Sequence, residues 1–292
     1  MGEGTPSSLS IAKLGLEGAY GAGTATLVVP FTAAGLAGLF DPVLDQGLRG
    51  IAAKDFGSYR GPARAEGSLE GYAFKPVIDM LVASIIGSGG ILSSSPSTLG
   101  FTLADGTGAI NGRGLGVTEL TIRFNRAEGA VTYSASFLGQ KVVPTGPIGT
   151  SHDVAKPPMG WKAVSSLAGV SGEVIEGEFS LSREWALFYG GSGVDAAYAS
   201  NAYAGPLEAT GRFTVDFSLL ADLDVVLNKT QGAVSVTVAD EDGANGFTLD
   251  APLADFGDGL FELDRSGVYV TLALSCRFLY DESTGQGPIS IS

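Results

Sequence analysis

Strict alternation of apolar and polar residues is the feature that most constrains how this chain can fold. Between Leu207 and Leu219, every odd-numbered residue is apolar or small, and every even-numbered residue is polar. Successive side chains of a β-strand point to opposite faces of the sheet, so this pattern predicts a strand with one buried and one wet face. We expect Phe213 and Val215 in the core. The residues expected on the wet face are Glu208, Thr210, Arg212, Thr214 and Asp216.

The same period of two recurs along the chain, whereas helical periodicity is scarce. Strands are predicted over Thr24–Val29, Leu120–Phe124, Val131–Phe137, Ile175–Leu181, Val234–Val238 and Val268–Phe278, the second and third forming a hairpin. A helix is predicted from Pro76 to Ile86, and a second short one between Ser218 and Asn228. The predicted fold class is therefore mainly β, an antiparallel β-sandwich or barrel with one or two short covering helices.

The predicted organisation is one elaborated β domain spanning residues 1–292. A weak two-part pattern is visible, because a strand followed by a short helix occurs at Glu66–Ile86 and again at Glu208–Asn228. Prolines and small residues from Pro144 to Pro158 oppose regular structure, so we expect an arm or loop over 144–161. Its apolar side chains would be buried on a neighbouring subunit. The candidates for that contact are Val143, Ile148, Met159 and Trp161.

Composition narrows the classes of function. Charged residues make up only 16% of the chain, which also has 44 glycines and a net charge of −14. That charge argues against nucleic-acid binding by phosphate neutralisation, although it is compatible with a wall that DNA slides past. Gly18–Phe40 is uncharged, but its glycines and Pro30 favour a strand that ends at Pro30 and a following loop over a membrane span. We expect no membrane association.

Residues for catalysis or ligand binding are sparse. His152 is the only histidine and Cys276 the only cysteine, so a typical zinc site is excluded and His152 is interpreted as a loop residue. Asp240–Gly246 lacks the glycine and closing glutamate of a calcium loop, which favours a hairpin turn. Glu176 and Glu178 share a strand face without nearby aromatic residues, as exposed strand charges do. Three glycine clusters, Gly21–Gly23, Gly112–Gly114 and Gly190–Gly193, lack dinucleotide-binding spacing and are expected to be turns. We therefore predict no enzyme activity, metal or cofactor.

The order of these elements resembles the phage tail tube family, the major tail proteins of long, non-contractile tails. Glu17–Gly21 followed by a strand resembles the family's opening, and Ala65–Gly71 with the helix ending at Gly87 is similar to its strand and covering helix. Gly177–Ser182 and Thr210–Val215 resemble its central strands, and Val268–Tyr280 its last strand. The resemblance covers most of the chain and depends on the order of the segments.

The resemblance implies a structural subunit that assembles with itself and with other tail proteins. Such subunits form closed rings, commonly sixfold, whose sheets join into one β-barrel, and stacked rings form the conduit for DNA ejection. The implied location is the virion tail, after assembly in the host cytoplasm. Six copies would carry a formal charge of 6 × −14 = −84, which would keep DNA from adhering to the wall. The alternative is a cell-surface or appendage β protein, such as an S-layer, adhesin or pilus-like subunit.

Overall fold

The computed structural model describes residues 11–45, 57–87, 95–102, 108–146, 156–190, 197–216, 220–243, 245–262 and 270–292. Its first half contains β1 (Ile11–Leu16), β2 (Leu27–Val29), β3 (Ala33–Asp45), β4 (Gly57–Tyr72), α1 (Lys75–Ile85), β5 (Ser97–Thr102), β6 (Ala109–Asn125), β7 (Thr132–Gly139) and β8 (Lys141–Thr145). Its second half contains β9 (Met159–Leu167), β10 (Val174–Phe188), β11 (Asn201–Asp216), α2 (Leu220–Leu227), β12 (Gln231–Ala239), β13 (Gly246–Glu262), β14 (Thr271–Phe278) and β15 (Ser290–Ile291). The prediction of a mainly antiparallel β fold is confirmed.

The alternating segment forms β11, with the predicted facing. Phe213 and Val215 are buried, whereas Glu208, Thr210 and Arg212 are exposed. The predicted hairpin is also present as β6 and β7, in which Arg123 pairs with Thr132. From Ala209 to Val215 the odd positions of β11 are buried, and the even positions are exposed or, at Thr214, half-buried. Asp216 is also half-buried. Alternation was therefore sufficient to orient this part of the strand.

Two local predictions were wrong. The loop expected after Pro30 is instead β3, a 13-residue strand antiparallel to β4. The cluster Gly112–Gly114 lies within β6 and not in a turn. Gly114 has a φ of +62°, and a Cβ on Gly116 would overlap the Trp185 ring, so glycines allow β6 to bend around that indole.

One continuous sheet connects the strands through β6. The first part of β6 pairs with β5 and β8, and its last part pairs with β7 on one side and β10 on the other. The long run of neighbouring strands is β3-β4-β7-β6-β10-β11-β14-β13, and β12 and β9 follow beyond β13. Within the described residues the sheet is not closed into a barrel, although Val131 N–H donates to Pro158 O at 2.8 Å where β9 approaches the β6–β7 turn.

The two halves of the chain repeat the same pattern of strand pairing. In the first half, β3 pairs with β4, β4 with β7, β7 with β6, β6 with β5 and β8, and β5 with β1. In the second half, β10 pairs with β11, β11 with β14, β14 with β13, β13 with β12 and β15, and β12 with β9. Each half also has its short helix directly after equivalent strands, α1 after β4 and α2 after β11. The two-part sequence pattern thus reflects two units with one topology.

The helices cover the hydrophobic side of the sheet. Helix α1 has Pro76 in its first turn, and Val77, Ile78, Leu81 and Ile85 are buried against β6 and its neighbours. Helix α2 packs on β13. The core beneath them contains the edge-to-face pair Phe179 and Phe213, whose ring centroids are 5.4 Å apart. One or two short covering helices were predicted, and the described residues contain two.

The segment expected to be an arm is partly in the sheet. Val143 and Pro144 belong to β8, which among the described residues pairs with β6 alone, and an edge strand of this kind can accommodate a proline. Met159 and Trp161 belong to β9, which pairs with β12. The expectation that the whole of 144–161 avoids the sheet was therefore wrong at both ends. Ile148 and His152 lie outside the described residues.

Candidate assembly surfaces

The polar face of β11 continues across its neighbours. Glu208 lies opposite Ser182 of β10, Thr210 opposite Ser180, and Arg212 opposite Glu178. The next strands extend the same face, because β10 pairs in register with β6, and β11 with β14. We refer to the outward side chains of β6, β10, β11 and β14 as the polar face. The candidate residues Glu208, Thr210, Arg212, Thr214 and Asp216 all belong to it.

Charges on the polar face are mixed, with an acidic excess. Arg123 Nε donates to Glu178 Oε2 at 2.5 Å, and Arg212 lies opposite that glutamate on the other side. Thr214 Oγ1 donates to Glu176 Oε1 at 2.8 Å. The face carries six carboxylates against three guanidinium groups: Glu119, Glu176, Glu178, Glu184, Glu208 and Asp216, with Arg123, Arg212 and Arg277. Its net charge of −3 disfavours binding of phosphates.

Strand β3 is an exposed edge. Among the described residues it pairs with β4 alone, and from Ala33 to Phe40 it has no charge. Phe40 and Leu44 are each 46% exposed. A long, uncharged, apolar edge offers unpaired backbone groups to another strand, and soluble proteins usually block such edges with charges or coverage. This edge is therefore a candidate surface for strand addition.

A second unpaired edge lies at the other end of the run of strands. Pairing of β13 with β12 stops at Asp255, and in the described part of the chain the remainder of β13 pairs only with β14. Within the described residues, the long run of strands consequently ends in β3 on one side and in the last residues of β13 on the other. Two different free edges on one chain permit head-to-tail joining of copies.

A buried carboxylate anchors the turn after β1. Glu17 is 6% exposed and accepts hydrogen bonds from Thr98 Oγ1 at 2.6 Å, Gly21 N–H at 2.7 Å and Gly114 N–H at 2.9 Å. Burial, together with the nearby Glu17 carboxylate and Tyr189, raises the pKa of Tyr20. Sequence reasoning noted Glu17 only as part of the family-like opening. A carboxylate directly before a glycine-rich turn was the signal available.

The acidic segment and the cysteine considered as candidate sites lie in a turn and in the core, respectively. Asp240–Gly243 forms the turn between β12 and β13, with Asp240 N–H bound to Asn245 O at 2.8 Å. Burial raises the pKa of the Cys276 thiol to about 12, as expected for a small core residue. Within the described residues, no group of three or more His, Cys, Asp or Glu side chains could hold a metal ion.

The chain matches a known protein family over most of its length. The family model of the phage tail tube protein matches residues 7–278, nearly the whole chain. No curated protein matches the chain. No described helix is long and apolar enough to cross a membrane. The matched range includes the polar face, the β3 edge and the Glu17 turn, and nothing in the comparison supports the cell-surface alternative. The chain belongs to the phage tail tube protein family and is a structural subunit of the virion tail, where it assembles with itself and with other tail proteins.

Proposed function

We propose that copies of this chain join edge to edge into closed rings, and that stacked rings form the conduit through which DNA passes during ejection. The observation that carries the proposal is the edge of β3, a 13-residue strand that is uncharged from Ala33 to Phe40 and paired on one side only in the described chain. Strand addition at this edge satisfies its backbone donors and acceptors. Closure into a multi-subunit barrel removes all such edges.

The polar face is the surface that we assign to the lumen. Its hydroxyl groups and paired charges can remain hydrated, and its acidic excess repels a phosphate backbone. Glu208, Thr210 and Arg212 are exposed in the chain, as lumen residues must be. DNA would pass along this wall without specific binding. The opposite side of the sheet packs against the core and the helices and is not available for that role.

The segment 144–161 is proposed to contribute to stacking. Trp161 is 54% exposed on β9, and the Lys162 ammonium lies 5.3 Å from the centre of its ring. Val143 and Met159 are half-buried on the flanking strands. Exposed aromatic side chains of this kind are common anchors of protein interfaces. They would lie on a neighbouring subunit or ring.

We infer that the chain has no catalytic role. The tail tube family is structural. Glu176 and Glu178, the only paired carboxylates considered, bind a threonine hydroxyl and an arginine of adjacent strands. Replacement His152→Ala is accordingly expected to leave tail assembly and infectivity unchanged.

Negative-stain imaging of the purified protein tests the proposal. The expected particles are rings or hollow tubes with a central channel. Ring formation is expected to be lost when β3 is blocked, for which Gly38→Asp is suitable because it places a charge in the uncharged part of the edge. Asp281 lies in a C-terminal turn outside both edges, so Asp281→Asn is a control that should assemble normally. Monodisperse wild-type monomers at all concentrations would contradict the proposal.

A further inference from the structure

The correspondence between the two halves extends to the residue register. Adding 139 to positions in β6 and β7 gives the paired positions in β13 and β14, so that Val117 opposite Phe137 becomes Phe256 opposite Cys276. Both ladders have a register shift at the same place, after Val117 and after Phe256. Adding 143 to residue numbers in β3 and 144 to residue numbers in β4 likewise gives the paired positions in β10 and β11.

Irregularities match as closely as the regular pairs. In β3 the register shifts between Phe40 and Pro42, and in β10 it shifts between Arg183 and Trp185. The two positions in β10 are those in β3 plus 143. Since bulges are local features of individual strands, their coincidence shows that the units have the same geometry and not merely the same order. Each unit contributes four strands to the long run, β3-β4-β7-β6 and β10-β11-β14-β13.

The units meet at one junction inside the chain. There, β6 of the first unit pairs with β10 of the second unit, from Glu119 opposite Ser182 to Asn125 opposite Glu176. The equivalent strands on the outer sides are β13 and β3. Among the described residues, these are the strands whose corresponding edges have no partner.

We propose that the β6–β10 junction is the template for the contact between chains: β13 of one copy pairs with β3 of the next, and three copies close the ring. The inference rests on the proposed function, since it assumes ring formation. Adding 139 to each β6 position and subtracting 143 from each β10 position of the internal junction gives an antiparallel register between β13 and β3. The predicted pairs are Asp258 with Leu39, Gly259 with Gly38, Leu260 with Ala37, Phe261 with Leu36, and Glu262 with Gly35.

The side chains near this edge are consistent with the same contact. Arg183 of β10 is buried, and its guanidinium donates to Ile85 O at 2.8 Å at the end of α1. The equivalent residue on β3 is Phe40, which is 46% exposed in the single chain. In the proposed ring, Phe40 would occupy the position of Arg183, against the end of the neighbouring chain's α2. An exposed phenylalanine is thereby buried by a second copy.

The number of chains follows from the units. A ring of six equivalent units, the common arrangement that the family resemblance implies, needs three chains, because each chain supplies two units. Three chains with eight strands each in the long run therefore make a 24-stranded wall. The ring has true threefold symmetry and approximate sixfold symmetry, because three junctions lie within chains and three lie between them.

Disulfide trapping tests the register and the chain count together. Directly opposed residues of antiparallel strands have Cα atoms about 4.5–5.5 Å apart, within the range of about 4.4–6.8 Å that a disulfide bridges. Ala37→Cys combined with Leu260→Cys should link chains after mild oxidation of assembled tubes. The native Cys276 is buried and should not interfere. Denaturing mass spectrometry should find three linked chains as the largest product, about 89 kDa from three chains of 29.7 kDa.

The control places one cysteine on the opposite face of the same edge. Ala37→Cys with Phe261→Cys should give at least tenfold less product, since neighbouring residues of a strand point to opposite faces. Products of four to six chains would contradict the threefold ring, and equal linking in the control would contradict the register. Tubes that form normally without any linking in the double variant would also overturn the proposal. Wild-type protein that forms neither rings nor tubes would instead contradict the proposed function and, with it, this inference.

Discussion

Strands β3 and β10 occupy equivalent positions in the two units but differ in sequence and exposure. In β10, Glu176 and Glu178 alternate with buried residues, and both edges of the strand are paired. In β3, the residues from Ala33 to Phe40 are uncharged, and one edge is paired in the described chain. At the same position in the fold, the strand of the second unit therefore has both edges paired, whereas the strand of the first unit has one paired edge among the described residues. The difference favours a second copy of the chain as the partner of β3, as the proposed ring requires.

The strongest test of this equivalence is in the core. Leu69 of β4 and Phe213 of β11 are separated by the β4–β11 offset of 144 residues, and both are almost fully buried. Leu69→Ala and Phe213→Ala should each lower the free energy of unfolding by about 3–5 kcal/mol, by lost burial and a cavity. Thermal or denaturant melts of the monomer provide the measurement. Thr214→Ala, on the polar face beside Phe213, is the control and should cost far less. Equal costs at Phe213 and Thr214 would refute the assigned facing.

Loss of the buried Glu17 carboxylate, which belongs to the first unit, should have the next largest effect on the free energy of unfolding. Glu17→Ala leaves the Thr98 hydroxyl and the N–H groups of Gly21 and Gly114 without their acceptor. We expect a loss of about 3 kcal/mol, since an unsatisfied buried donor costs about 1–3 kcal/mol. Glu17→Gln retains one acceptor oxygen and should be less damaging. Denaturant midpoints of the three proteins measure the difference, and unchanged midpoints for Glu17→Ala would show that the turn is not anchored by this residue.

Removal of the exposed aromatic on β3 separates assembly from stability. Phe40→Ser should raise the critical concentration for ring or tube formation about tenfold, equivalent to about 1.4 kcal/mol of lost contact. The melting temperature of the monomer should change less than it does for a core residue, because Phe40 is 46% exposed there. Light scattering across a concentration series measures assembly. Tyr280→Ser is the matched control, since Tyr280 is 50% exposed and lies away from β3. Equal effects of both replacements on assembly would show that Phe40 makes no specific contact between chains.

The smallest effect is expected on the polar face. Arg123→Ala removes the ion pair with Glu178, in which the arginine side chain is 65% exposed. We expect a change in unfolding free energy of less than about 1 kcal/mol, which is normal for solvated ion pairs. The same change should be smaller still at high salt, because ions screen exposed charges. A loss of several kcal/mol would indicate that this face is buried in the monomer and unsuited to line a channel.

Alternation in the sequence was enough to predict β11, β14 and the β6–β7 hairpin, since one-sided burial leaves a visible period of two. It could not identify β3, because Ala33, Gly35, Ala37 and Gly38 provide no contrast between faces. A strand that pairs with another chain, as proposed for β3, need not show one wet face. The bend of β6 was mistaken for a turn, because glycines that admit the Trp185 ring resemble glycines that reverse the chain.

The candidate site was predictable to a similar extent. Glu208 to Asp216 could be assigned to a polar face from β11 alone, but the charges opposite them depend on registers between strands far apart in sequence. The weak two-part pattern indicated a repeat without revealing that strand pairs and bulges coincide. Those relations arise from long-range backbone pairing, which leaves little trace in local composition. Whether Val143, Ile148, Met159 and Trp161 contact a neighbouring subunit stays a prediction.

A cryo-electron microscopy reconstruction of tubes assembled from the purified protein tests the central claim most directly. The account predicts a hollow tube with a continuous β-sheet wall, in which Glu208, Thr210 and Arg212 face the channel and β3 is paired with a strand of the adjacent chain. A solid filament would contradict it, as would a tube whose wall leaves β3 unpaired or turns the polar face away from the channel.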